Sequence, residues 1–354
     1  MPNTNLLDLN PDQLAALMRD WEQPAYRANQ IWEWLYQHKA TDIADMTNLP
    51  KALRERLDQF ATIGNHTIET ERQAQDGTIK RLYRLHDGQF VESVLMPYDD
   101  GRRTACISTQ AGCAMGCVFC ATGQMGFVRD LTVGEIVVQA LDFARLLEAQ
   151  GERLSNVVLM GMGEPLHNYE ATLEAIRLLI DPDGLGIGQR HITVSSVGLV
   201  PAIRRFADEG LQVKLAISLH AANDEERNTL IPINRRWKLA NLMNACLYYI
   251  AQTGRRITFE WALIHGENDT PEQANQLGAL LKGLLCHVNV IPLNPTHGYN
   301  GRPSDGKRVQ QFMEILNNYG ISSTVRVRRG IDIEAGCGQL KAKVIGLEDI
   351  SNTP

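Results

Sequence analysis

Residues 113–120 read CAMGCVFC, three cysteines at a C-x3-C-x2-C spacing. A closed structural zinc site takes four protein ligands, and a thioredoxin-like redox pair needs only C-x2-C. Three thiolates on one short loop suit a [4Fe–4S] cluster with one iron left open, because cluster irons are otherwise each held by cysteine. The competing reading is a zinc loop completed by a distant residue, since thiolate binds both metals.

Outward from this loop the chain alternates between strand and helix. TACIST (104–109) precedes the loop and LTVGEIVVQALDFARLLEAQ (131–150) follows it. Further strand candidates are NVVLMG (156–161), HITVSS (191–196), VKLAISL (213–219), ITFEWALI (257–264), HVNVIPLN (287–294) and STVRVRR (323–329). EATLEAIRLLI (170–180) is one of the helical stretches between them. Such alternation implies an α/β fold with a parallel sheet and right-handed crossovers. About six units make a partial or open barrel, with its chemistry at the C-terminal ends of the strands.

Ahead of the barrel, residues 1–75 read as short helices, with apolar residues three and four apart in 10–18, 26–38 and 50–60. TIKRLYRLHDGQFVESVLMP (78–97) sets two alternating runs around Asp87-Gly88, a hairpin signal. The expected organisation is a helical N-terminal domain (1–75), a β-hairpin connector (76–98), the barrel (99–345) and a C-terminal tail (346–354).

The bulk composition, 44% hydrophobic and 21% charged over 354 residues, is ordinary for a water-soluble chain with one large domain and a smaller one. No apolar run approaches membrane-spanning length, and MPNTNLLDLN lacks a signal-peptide pattern. A cytoplasmic setting with no membrane contact is therefore expected. Seven cysteines in such a chain argue for metal or redox chemistry over a disulfide framework. With a net charge of −6, a polyanionic partner has to be held by local patches: GRR (101–103), NRRWK (234–238) and VRVRRG (325–330).

The second strand runs into GMGEP (161–165). A dinucleotide fingerprint needs a third glycine where Leu166 stands. The alternative is close approach of backbone to a ligand at Gly161 and Gly163, with Glu164 facing a cationic amine. Later strands end in Ser195 and Ser196, then Ser218, Leu219 and His220, then Asn294. Each alone reads as a cap or turn residue; their place at successive strand ends makes them a candidate set. Cys246 and Cys286 have apolar neighbours and read as packing. Cys106 lies in the first strand. Cys337, between glycines in EAGCGQL, is an ordinary loop cysteine or a nucleophile.

C-x3-C-x2-C after a first β-strand, with Phe119 between the last two cysteines, resembles the radical S-adenosylmethionine (SAM) superfamily. CAMGCVFC, GMGEPLHN, SLHA, IPINRRW, IPLNP and DIEAGCGQL, with NLLDLN and PAYRANQIWEWLY near the N-terminus, together resemble the RlmN family of dual-specificity RNA methyltransferases. The likeness covers nearly the whole chain. It implies a partial (β/α)6 radical SAM barrel with an N-terminal helical RNA-binding domain. It also implies a [4Fe–4S] cluster on Cys113, Cys117 and Cys120, whose open iron chelates the amino and carboxylate groups of SAM. SAM contacts would come from Gly163, Glu164, Ser195, Ser218, Leu219, His220 and Asn294.

The implied reaction is methylation of adenine C2 in 23S ribosomal RNA and in tRNA at position 37, with two SAM molecules per turnover. One methylates Cys337. The second is cleaved to a 5′-deoxyadenosyl radical, which takes hydrogen from that methyl group so that its carbon adds to the base. By the same resemblance Glu92 in VESVLMP is the proton acceptor, although its residue-level reading is a solvated strand carboxylate. Cys106 would resolve the enzyme–RNA link through a transient disulfide with Cys337. An electron donor such as flavodoxin and a monomeric state are further family expectations. The scheme has a chemical logic, because adenine C2 offers no nucleophile to an ordinary SAM methyl group whereas a carbon radical can add there.

Other readings remain open. The Cfr family shares these cysteines and methylates adenine C8, but tends to have alanine where Pro165 stands. Gly336 departs from both families, which usually have alanine there. A non-catalytic RNA-binding protein with a structural metal site would not need Cys106 or Cys337. A radical SAM enzyme for a small molecule would not need the basic patches. Trp237, among Arg235, Arg236 and Lys238, reads equally as a base-stacking residue or as packing.

Overall fold

Asn10 starts the first helix for a local reason. Its side-chain oxygen accepts from Gln13 N at 3.0 Å while Gln13 Oε1 accepts from Asn10 N at 2.9 Å, a reciprocal cap ahead of Pro11. The computed structural model describes residues 4–296 and 298–340, so the tail at 346–354 lies outside the described residues. Helices α1 (Pro11–Asp20), α2 (Tyr26–Tyr36) and α3 (Lys51–Phe60) bury Leu14, Met18, Ile31, Trp32, Leu35, Leu53 and Leu57 together. The three- and four-residue spacing puts these on one face of each helix. A short parallel pairing of Thr4–Asn5 with Ala61–Thr62 closes the module.

The rest is built on one ten-stranded sheet whose spatial order follows the chain. β1 (His66–Gln73), β2 (Ile79–Leu85), β3 (Phe90–Pro97) and β4 (Arg103–Cys106) pair antiparallel. From β4 onward the pairing is parallel, through β5 (Asn156–Leu159), β6 (Ile192–Ser196), β7 (Lys214–Ser218), β8 (Ile257–Leu263), β9 (Cys286–Pro292) and β10 (Ser323–Val325). A short α4 (Ala121–Met125) follows the cysteine loop. The crossovers carry α5 (Val133–Ala149), α6 (Tyr169–Ile180), α7 (Val200–Asp208), α8 (Asp224–Leu230), α9 (Leu239–Thr253), α10 (Pro271–Leu281) and α11 (Gly306–Asn318). Because each crossover steps in the same direction, the sheet curls into a partial (β/α)6 barrel, and β1 and β10 stay unpaired with each other.

Two features differ from the sequence reading. Residues 66–73, within the segment read as helical, form a strand. Their polar sequence, HTIETERQ, has no apolar period to announce it, and it suits a largely exposed, charged sheet edge. The STVRVRR strand ends at Val325, so the arginines after it belong to a loop. The hairpin joined at Asp87-Gly88 continues the barrel wall directly, with Val94 opposite Cys106.

The helical module docks mainly on α5. Gly134 N donates to Asp8 Oδ1 at 2.7 Å, and Arg145 donates to Lys39 O at 2.6 Å and Ala40 O at 3.1 Å. Arg145 also pairs with Asp142, which is bonded to His66 Nε2 at 2.8 Å. Among the described residues no helix is long and apolar enough to cross a membrane. A Cβ at Gly134 would lie 2.4 Å from Asn5 Nδ2 and 2.9 Å from Asp8 Oδ1. Gly134→Ala is therefore expected to cost about 1–3 kcal/mol of stability by overpacking. Urea denaturation checks the loss, and limited proteolysis should cut the N-terminal module before the barrel.

Candidate active site

The chain leaves β4 through Gln110–Gly112, which pairs with Phe127–Asp130. Gly112 has φ +77, and a Cβ there would lie 2.1 Å from Gly126 O, so glycine is required. Cys113 N donates to the same Gly126 O at 2.7 Å, and Val118 N donates to Leu230 O at 3.2 Å. The loop so fixed directs Cys113, Cys117 and Cys120 into a cavity of about 150 Å³ at the strand C-terminal ends.

Burial dominates the electrostatics of this wall. It pushes the Cys113 thiol up to about 12 and raises Cys117 and Cys120 as well. Such thiols are neutral until a metal takes the place of their protons. Among the described residues no three His, Cys, Asp or Glu groups converge on a single-ion site; the sulfurs line a space instead. The donor set fits a cluster that fills such a space.

Glu164 lines the same cavity. Its Oε1 accepts from Leu166 N at 3.2 Å and its Oε2 from Val197 N at 2.9 Å, yet burial still pushes the carboxyl up to about 7. A cationic ligand group is what this carboxylate lacks. Gly161 and Gly163 line the cavity too, but the closest atoms that a Cβ would meet are protein: Ser108 Oγ at 2.6 Å for Gly161 and Gln110 Cβ at 2.6 Å for Gly163. Gly163 has φ +101. These glycines let the turn pack closely on the segment 107–110 while their backbone forms part of the cavity wall.

The strand-end candidates divide. Ser195, Ser218, His220 and Asn294 line the cavity, while Leu219 does not. The Leu219 side chain is fully buried, and its backbone donates to Glu260 O and accepts from Arg227 Nε, each at 3.1 Å. Ser195 Oγ donates to Leu159 O at 2.7 Å. His220 Nδ1 accepts from Ala262 N at 2.8 Å, its ring meets Phe119 edge-on at 4.8 Å, and burial lowers it to about 3, so it is neutral. Asn294 Nδ2 donates to Cys337 O at 3.0 Å, and its buried Oδ1 has no partner among the described residues. That orphaned acceptor, like Glu164, suits a polar ligand such as SAM.

Cys337 sits where this cavity meets a second one, of about 30 Å³, which Cys106 also lines. Burial, then the charge of Cys337, pushes the Cys106 thiol up to about 12. The Cys337 loop is tied at both ends. Ala121 N donates to Gly338 O at 2.8 Å and Gln339 Nε2 to Pro295 O at 3.0 Å. On the other side Gly330 N donates to Asp76 Oδ2 at 3.0 Å, Gln75 N to Asp332 Oδ2 at 3.1 Å and Lys80 Nζ to Glu334 O at 3.3 Å. At Gly336 a Cβ would come within 2.7 Å of Asn294 Nδ2, so alanine there would displace that side chain or its own loop.

Glu92 lines neither cavity. It is buried, not solvated, with Oε1 3.1 Å from Lys80 Nζ. The sequence reading missed two charged residues that line the first cavity. Glu260 is a carboxylate inside an otherwise apolar strand, ITFEWAL, with Oε2 buried and unpartnered among the described residues. Its signal was that lone charge. Arg326, grouped with the basic stripe, instead lines both cavities.

Residues 4–63 match the family described as the ribosomal RNA large subunit methyltransferase N-terminal domain, and residues 107–277 match the radical SAM superfamily. Dual-specificity RNA methyltransferase RlmN 1 of Myxococcus xanthus is 54% identical over 97% of this chain and 95% of its own length. The chain belongs to the RlmN family. A probable RlmN of Geobacillus kaustophilus is 47% identical over 97% of this chain and 93% of its own. The crystal structure of a radical SAM methyltransferase from Sphaerobacter thermophilus superimposes with TM-score 0.94 at 49% identity, covering 96% of this chain and 100% of that one.

Several basic residues of this RlmN-family chain are engaged by its own side chains, Arg329 at the second cavity among them. Arg103 pairs with Glu152, whereas Arg102 and Arg329 stack on Tyr98 at 4.6 and 4.4 Å. Trp237 packs partly against the core with Arg236 over its ring at 4.6 Å. Cys246 and Cys286 are buried. Glu164 sets a pH test. Its carboxyl rises from 4.5 to about 7 on folding, so the native state holds its proton more tightly than the unfolded one. Its contribution is present below about pH 4.5 and is lost as pH rises through about 7, on the order of a few kcal/mol. Ligand-free Glu164→Gln should accordingly gain stability over the wild type as pH rises across that window, measured by denaturant midpoints at each pH.

Proposed function

We propose that this chain methylates adenine C2 in 23S ribosomal RNA and in tRNA at position 37, through a methyl group carried on Cys337. The observation that carries this reading is the place of Cys337, between a cavity lined by Cys113, Cys117, Cys120 and Glu164 and one lined by Cys106. The three cysteines would hold a [4Fe–4S] cluster, and Glu164 would take the ammonium of SAM, with Ser195, Ser218, His220 and Asn294 around it. Bound there, cluster and SAM supply a methyl group and one-electron chemistry, two SAM molecules per turnover.

The chain's own residues do the rest. Cys337 accepts the methyl carbon on its sulfur, and its tied loop keeps that carbon at the boundary of both cavities. The family resemblance assigns the proton that leaves adenine C2 to Glu92, which is buried against Lys80 and outside the lining of both cavities. Cys106 then attacks the Cys337 sulfur. A disulfide bond forms, the carbon–sulfur bond breaks with its electron pair on the carbon, and a proton equivalent to the one lost by the Cys106 thiol completes the methyl group on the base. Arg328 and Arg329, at the second cavity, suit RNA phosphates, which position the base after it is unstacked. An electron donor such as flavodoxin, a monomeric state and a cytoplasmic setting complete the reading.

Cluster-loaded enzyme, SAM, a reductant and unmodified ribosomal RNA should give 2-methyladenosine, identified by mass spectrometry after digestion. 8-Methyladenosine would instead place the chain with Cfr in activity. Cys337→Ala should abolish methylation while reductive SAM cleavage persists, and Cys106→Ala should accumulate a covalent protein–RNA species on denaturing gels. Full methylation by Cys337→Ala would refute the carrier role.

A further inference from the structure

Arg326 is set apart from the other arginines of VRVRRG. Its backbone N donates to Val290 O at 2.8 Å as the chain leaves β10, and the half-buried side chain enters the wall shared by the two cavities. There Nη1 donates to Cys337 Sγ at 3.5 Å and lies 4.0 Å from Met160 Sδ. Among the described residues these sulfurs are its only side-chain hydrogen-bond partners, and it makes no ion pair within 4 Å. A guanidinium carries five N–H donors, and withdrawing it from water without a carboxylate is costly. Glu260 lies on the same cavity wall, with Oε1 held by Asn289 Nδ2 at 3.0 Å and Oε2 without a hydrogen-bond partner among the described residues, but it makes no ion pair with Arg326 within 4 Å. The charge available on Cys337 is the largest influence on Arg326 and raises it above its ordinary value; Glu260 adds to the rise.

We propose that Arg326 is a positioning residue for the methyl carrier: it holds the Cys337 sulfur at the boundary of the two cavities and balances the negative charge that sulfur bears as a nucleophile. This rests on the reading of Cys337 as the carrier. In the substitution that loads it, the sulfur supplies the electron pair and a carbon–sulfur bond forms. The donor's old bond breaks with its pair on the leaving group, and the thiol proton passes to solvent. A planar, delocalised cation suits a large polarizable sulfur and stays charged throughout. Once the sulfur is a neutral thioether that charge is no longer matched, which favours reaction of the unmethylated form.

The test uses the full-length, cluster-loaded protein without SAM. Iodoacetamide is added at one fixed pH, and alkylation of the unmethylated Cys337 peptide is followed by mass spectrometry. Arg326→Gln should slow it about tenfold, the lower end of what a close opposite charge gives, and Arg326→Lys should recover most of the loss. A purely structural role would do the reverse, because a loosened loop exposes the thiol and speeds its reaction. Iron content and near-ultraviolet circular dichroism check that each variant is folded. A Gln variant as fast as the wild type or faster overturns the proposal, and so does a Lys variant no faster than Gln. Methylation of Cys337 after incubation with SAM is read from the same peptide. Its absence in the wild type overturns the carrier role itself; its presence with unslowed Gln alkylation overturns only the role of Arg326.

Discussion

Keeping ionisable groups out of water around a shared space is the constraint on which this fold depends. Glu164, Glu260, Arg326 and four thiols face one cavity, and burial shifts the acids and the three thiols of the cysteine loop toward their neutral forms. Packing forces alone would close such a space. It stays open because its walls are the C-terminal ends of parallel strands, which the curl of the sheet sets at fixed separations. The glycines at 112 and 163 then fasten the two critical loops to those ends by backbone contact, where no side chain fits.

What the sequence disclosed and what it withheld follow a physical division. The cysteine spacing, the strand–helix alternation and the Glu164 turn are local patterns, legible without three-dimensional context. Arg326 and Arg328 stand two residues apart in one basic run, and nothing in that run says where the strand stops. The structure ends β10 at Val325, which turns Arg326 inward while Val327 is left 72% exposed. Glu92 was read as solvated because alternation in β3 leaves open whether one face or both are covered; both are. Leu219 was grouped with its polar neighbours by position, but its side chain belongs to the core.

The N-terminal module shows the same economy. Its buried apolar residues form one continuous core with those of α5 and the barrel, and Asp8, Asn10, Lys39 and Ala40 add hydrogen bonds to α5 and α6. The shared apolar core holds the module on the barrel, and the directional hydrogen bonds fix its orientation there. The RlmN-family match at 4–63 ends just before β1, where the chain passes from helical packing to sheet pairing.

The ties on the Cys337 loop carry a kinetic consequence. Hydrogen bonds with Gln75 and Asp76 in the turn between β1 and β2, and from Ala121 after the cysteine loop, hold both ends of the loop, and Cys106 lines the space that Cys337 faces. Both thiols line one small cavity, so a reaction between them would be intramolecular and would have the advantage in effective molarity that proximity gives. Under the proposed reaction, a group joined to Cys337 would therefore be released by a thiol of the protein itself ahead of one from solution.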